Sequence, residues 1–160
     1  MQGRYPRVSF YFFTQDVIQM TAKEIVQQLT NKHGTCDPFA LADALNIIVL
    51  YHPLGGTLGF STYDRRNKFI VINDQADDEI RPYICAHELG HSIMHENINL
   101  PFLRQNTLFS ISKYERQADT FAVELLMPDT VCAEHPTLTL EQIGQMCGIP
   151  LPIIKLKTLP

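Results

Sequence analysis

From Thr21 onward the apolar positions follow a helical period: Ala22, Ile25, Val26 and Leu29 share one face. "TAKE" (21 to 24) is a capping box with Thr21 as cap and Glu24 reaching back, and "HG" at 33 to 34 ends the run. "DPFALADAL" predicts a second short helix, with Asp37 as cap and Pro38 in its first turn. The period then changes. "IIVLY" (47 to 51) predicts a strand, and "TLGFSTY" (57 to 63), the polar turn "DRRN" and "KFIVIN" (68 to 73) predict a hairpin. The acidic stretch "DQADDE" (74 to 79) and Pro82 introduce a helix carrying "CAHELGHSIMH" (85 to 95), with acids suited to its positive end. A further helix is expected from about Ser112 to Met127, ended by Pro128. "TLEQIGQMCGI" (139 to 149) reads as a capped helix closed by Gly148. Helices, a short and mostly antiparallel sheet, then helices again make an α+β chain.

Composition adds limits. At 160 residues, with 45% apolar and 19% charged positions, the chain suits one folded domain. A formal net charge of −4 argues against a dedicated binder of nucleic-acid backbone, so direct nucleic-acid binding is not expected. No apolar run approaches the roughly 18 to 20 residues of a membrane span, and "SFYFF" (9 to 13) is too short for a signal-peptide core. Cys36, Cys85, Cys132 and Cys147 are scattered without a C-x-x-C pair, which suggests free thiols in a reducing cytoplasm. "CAEH" (132 to 135) with Cys147 supplies only three possible zinc ligands at no familiar spacing, so structural thiols are the better reading. Nothing in the sequence speaks to the oligomeric state.

The histidine-rich run changes the picture most. HELGH fits H-E-x-x-H: residues four apart on a helix share a face, so His87 and His91 can offer nitrogens to one ion. Glu88, turned about 100° from His87, can reach a water at the metal without joining the ligands. His95 is the tempting third ligand, but eight residues of continuous helix carry it about 12 Å beyond His87, outside any shared coordination sphere. It reads instead as a partner for a carbonyl or carboxylate near the helix end. The missing ligand must come from another segment. "YERQADTFAVELLMP" (114 to 128) has Glu115 and Asp119 four apart. In that reading Glu115 binds the metal and Asp119 accepts a hydrogen bond from the far nitrogen of a liganding histidine. Small Ala118 and Ala122 would let the two helices approach closely.

HELGHSIMH followed by ERQADTFAVELLMP resembles the ImmA/IrrE family of small metallopeptidases, whose pattern is HELGH-x-x-x-H and then E-x-x-A-x-x-F-A-x-x-L-L-M-P. "HGTCDPFALADALNIIVLY", "GTLGFSTY" and "NKFIVIND" extend the likeness upstream, so that it covers roughly residues 21 to 160. The resemblance implies a minimal zincin-like domain of the gluzincin type. Zinc would be held by His87, His91 and Glu115, with Glu88 as catalytic base and Asp119 behind a ligand. It also implies a substrate, a helix-turn-helix transcriptional repressor whose cleavage relieves repression in mobile elements or stress responses. Gln117 stands where many members have a second glutamate.

In related zincins an extended substrate pairs with an edge strand above the cleft, which makes Gly59, Phe60 and Ser61 the expected contact. Tyr83, Tyr114 and His135 are candidates for the donor that steadies the oxyanion. One rival is a zincin-fold module that binds a repressor without cutting it; Glu88 has no purpose there. Another is a DNA-binding protein, suggested by "LEQIGQMCGIPLPIIKLK" (140 to 157), although Pro150 and Pro152 interrupt its second element. Residues 1 to 19 fall outside the family pattern and are expected to be a dispensable extension. The metallopeptidase domain would then run from 20 to 160, with about 139 to 158 as a short helical appendage.

Overall fold

The computed structural model describes residues 20–96 and 108–159, so the extension expected at 1–19 lies outside the described residues. Helix α1 (Ala22–His33) has the full capping box: Thr21 accepts from the Glu24 amide, and Glu24 accepts from that of Thr21. Gly34 closes it in the left-handed conformation, φ 68°. Helix α2 (Pro38–Ala44) starts on Asp37, whose carboxylate accepts from the Phe39 amide.

Three strands follow, β1 (Ile47–His52), β2 (Gly59–Asp64) and β3 (Asn67–Asn73), in the order β1-β3-β2. β2 and β3 form the expected hairpin, turning through Arg65 and Arg66 at φ 49° and 88°. β1 runs parallel to β3. The sheet is therefore evenly mixed rather than mostly antiparallel: β2 swings out to one edge, and β3 returns between it and β1. Asn73 donates its amide to the Leu58 carbonyl at 2.8 Å. By alternation along the antiparallel register, Phe60 and Thr62 turn their amides and carbonyls to β3. Those of Gly59, Ser61 and Tyr63 face the edge, which no strand covers among the described residues.

Helix α3 (Arg81–Met94) carries the histidines. The acids precede it rather than entering its first turn; Asp78 pairs with Arg81 at 2.5 Å. Helix α4 (Leu108–Leu126) packs along α3. Then come α5 (Asp129–Glu134), α6 (Leu140–Met146) and α7 (Leu151–Ile154). α5 is not among the expected helices: Pro128, which ends α4, also occupies the cap position of this next helix. α7 is four residues long, a single turn with no room for a recognition helix.

The main core joins Ile25 and Val26 of α1, Leu41 of α2, Ile70 and Ile72 of β3, Leu89 of α3, and Phe121 and Leu125 of α4. A second cluster of Val123, Met127, Ile143, Ile149 and Ile154 seats the C-terminal appendage on α4. Ion pairs lock it further. The fully buried Lys157 ammonium donates to Glu124 at 2.7 Å and to Asp129 at 2.6 Å, and Lys23 pairs with Asp129 at 2.8 Å. Hydrogen bonds from Lys157 and then Lys23 hold the Asp129 carboxyl below its ordinary range. A depressed carboxyl stabilises the fold above its unfolded value and loses that contribution as pH falls through the folded one. Lys157→Met would leave Glu124, whose side chain is 2% exposed, with only the distant Lys23 ammonium, 4.0 Å away, as a countercharge. We expect a loss of about 3 kcal/mol in urea unfolding at neutral pH. A loss below about 1 kcal/mol would mean that the pair is replaceable by packing alone.

Candidate metal centre

α3 and α4 meet where both carry small residues. A methyl placed on Gly90 would stand 3.1 Å from Phe121 Cβ and 3.2 Å from Ala118 Cα, so the helix backbones touch with almost no spacer. That approach brings Glu115 of α4 onto the two histidines of α3. His87 Nε2 and His91 Nε2 lie 3.1 Å apart, and Glu115 Oε2 lies 3.2 Å from the first and 3.4 Å from the second. Donors held about 2.0 to 2.1 Å from a tetrahedral ion stand roughly 3.3 to 3.4 Å from one another, so this triangle is the right size. One N, one N and one carboxylate O also form a donor set suited to a divalent ion with an open fourth position.

The far nitrogens are held too. Asp119 Oδ1 accepts from His87 Nδ1 at 2.8 Å and from the Tyr83 hydroxyl at 2.7 Å. Burial opposes a charge on His87, but its hydrogen bonds to Asp119 and Glu115 outweigh that and raise its pKa to about 9. The two carboxylates therefore favour a positive charge at this position, which suits a cation as well as a proton. Burial and then the bond to Asp119 raise the Tyr83 hydroxyl far above its usual range, so it stays a donor committed to Asp119. Tyr83, one of the three candidates for the oxyanion donor, thus gives its hydroxyl proton to Asp119.

His95 lies outside the triangle of donors, and one of its partners is a carbonyl oxygen, that of the Gln117 side-chain amide. Nδ1 lies 3.0 Å from His91 Nδ1, and Nε2 lies 3.0 Å from the Gln117 amide oxygen. Burial lowers its pKa to about 4, so the ring is neutral. The Tyr114 ring stands edge-on to it, centroids 4.9 Å apart. His135 is the residue that ends α5, its backbone amide donating to the Cys132 carbonyl. The spacing of four between His91 and His95 was a legible signal for their contact; the roles of Tyr83 and Gln117 depend on how α3 and α4 dock.

Glu88 is buried beside His87 and under β2. A methyl on Gly59 would lie 2.6 Å from the Ile84 side chain, 3.0 Å from the Val71 carbonyl and 3.6 Å from Glu88 Cγ. Glycine is what lets the edge strand cross this close to the glutamate. Gly59 and Ser61 offer backbone groups to that edge, while those of Phe60 are turned to β3 and its side chain is exposed on the outer face.

The family model described as the IrrE N-terminal-like domain matches residues 42–141, which takes in both helices of the site. The chain belongs to the ImmA/IrrE family of metallopeptidases. Among curated relatives, it is 44% identical over 143 residues to an uncharacterized immunity region protein 2 of Bacillus phage phi105, covering 86% of this chain and 89% of that one. It is 29% identical over 112 residues to the metallopeptidase ImmA of Bacillus subtilis strain 168, covering 70% and 66%. All four cysteines are unpaired, and no helix among the described residues is long and apolar enough to cross a membrane.

Proposed function

We propose that this ImmA/IrrE-family chain is a zinc endopeptidase that cuts one peptide bond in a helix-turn-helix transcriptional repressor in the cytoplasm, and so relieves repression. The observation that carries the reading is the triangle of His87, His91 and Glu115 donors, 3.1 to 3.4 Å on a side, with Glu88 near enough to favour a charge on the His87 ring. A zinc ion held there supplies Lewis acidity, polarising water and the scissile carbonyl. Glu88 accepts the proton of the attacking water and hands it to the departing amine. Asp119 keeps His87 oriented through Nδ1. The substrate lies extended along β2 and pairs with the outward backbone groups of Gly59 and Ser61, with Phe60 supporting from the outer face.

The repressor reading draws on the name of the phage relative, an immunity region protein. A single edge strand offers little binding energy, so docking on a folded partner must help to position the scissile segment. Bulk unfolded protein such as casein should then be nearly untouched. The test is co-expression of the wild type, or of Glu88→Gln, with the repressor encoded beside it, followed by mass analysis. We expect one cut made only by the wild type, abolished by a chelator and restored by zinc. A repressor left whole but tightly held by both forms would replace the peptidase with a binding module.

A further inference from the structure

His95 is 5% exposed and uses both ring nitrogens inside the protein. Two facing nitrogens such as His91 Nδ1 and His95 Nδ1 make a hydrogen bond only if one carries a proton and the other does not. The direction follows from the opposite side of His91. Its Nε2 points at His87 Nε2 and Glu115 Oε2, and to donate a lone pair there it must be bare. The proton of His91 then sits on Nδ1. His95 Nδ1 must accept it, which puts the proton of His95 on Nε2, where Gln117 Oε1 accepts in turn. With His91 Nε2 bare, this is the polarity that satisfies the ring nitrogens and the Gln117 oxygen.

We propose that His95 and Gln117 are positioning residues for the metal site: His95 holds His91 in the Nδ1–H tautomer, and Gln117 selects the tautomer of His95. The proposal rests on the reading of His87, His91 and Glu115 as ligands. The two histidines are then supported by unlike means. His87 leans on the Asp119 carboxylate, whereas His91 leans on a neutral ring that adds no charge beneath the ion. Tyr114, edge-on to His95, fixes the plane of that ring. The arrangement also explains why a residue too far along α3 to reach the ion is buried against one that does.

The experiment compares the full-length wild type with His95→Leu, His95→Asn and Gln117→Met. Zinc affinity is read by competition with a chromophoric chelator, and the tautomer of His91 by imidazole 15N NMR of the metal-free protein. His95→Leu keeps the bulk but removes the acceptor, and should weaken zinc about 10- to 100-fold while one equivalent still binds at saturation. His95→Asn sets an amide oxygen near the former Nδ1 and should return affinity to within about threefold of the wild type. The His91 signals should report Nδ1–H in the wild type and a tautomer mixture in His95→Leu. Gln117→Met, a milder change at a partly exposed position, should also blur the tautomer and covers the case in which His95→Leu does not fold. Equal weakening in His95→Leu and His95→Asn would mean that the ring only fills space, and would overturn the proposal. So would a His91 tautomer in His95→Leu that is unchanged from the wild type. A wild type that takes up no zinc overturns the ligand reading itself, and this relay with it.

Discussion

Glu115→Ala is expected to leave the protein almost free of metal after purification, while the wild type carries one equivalent. In the proposed site the carboxylate is the ligand that α4 would contribute, and without it two histidines on a single helix would have to hold the ion. Zinc sites with four protein ligands bind with roughly 10 to 16 kcal/mol, so an even share is about 3 to 4 kcal/mol per ligand, or two to three orders of magnitude in affinity. The fold should survive. Glu115 is partly exposed, and the core around Phe121 and Leu125 lies further along α4. Elemental analysis beside His95→Leu makes the comparison decisive, because that variant keeps all three donors and should lose less. A Glu115→Ala protein that retains zinc while His95→Leu does not would reverse the ligand assignment.

Glu88→Gln should separate binding from chemistry. The amide has nearly the shape of the carboxylate, so it fits the buried place under Gly59, and none of the three donors changes. It cannot accept a proton from water. Zinc content should match the wild type, and cleavage of the repressor should fall about 10²- to 10⁴-fold, the usual contribution of a positioned base. Cleavage at the wild-type rate, measured on a confirmed substrate with equal zinc loading, would remove Glu88 from the mechanism.

How much of this was legible beforehand depended on distance along the chain. His87 with His91, and Glu115 with Asp119, are each one helical turn apart, so periodicity alone put each pair on one face. Bringing the two pairs together needed the docking of α3 on α4. Ala118 hinted at that docking; the position that sets its closeness is Gly90. The hairpin was readable because its turn is local, but the direction of β1 was not, since a parallel pairing reaches across the intervening strand. Gln117, where many members of the family have a glutamate, carries no local signal of a role. Its contact with His95 spans 22 residues of sequence and follows only from the packed helices.

The glycine at position 90 has a consequence of a different kind. It binds nothing, yet a single methyl there meets both Ala118 and Phe121 at 3.1 to 3.2 Å. To make room, α4 would have to back away by a few tenths of an ångström and carry Glu115 with it. The triangle it completes is measured in the same tenths. Position 90 therefore works like the shim in a machined assembly, a part chosen for thickness alone. Its tolerance for neutral drift should be as narrow as that of the histidine beside it.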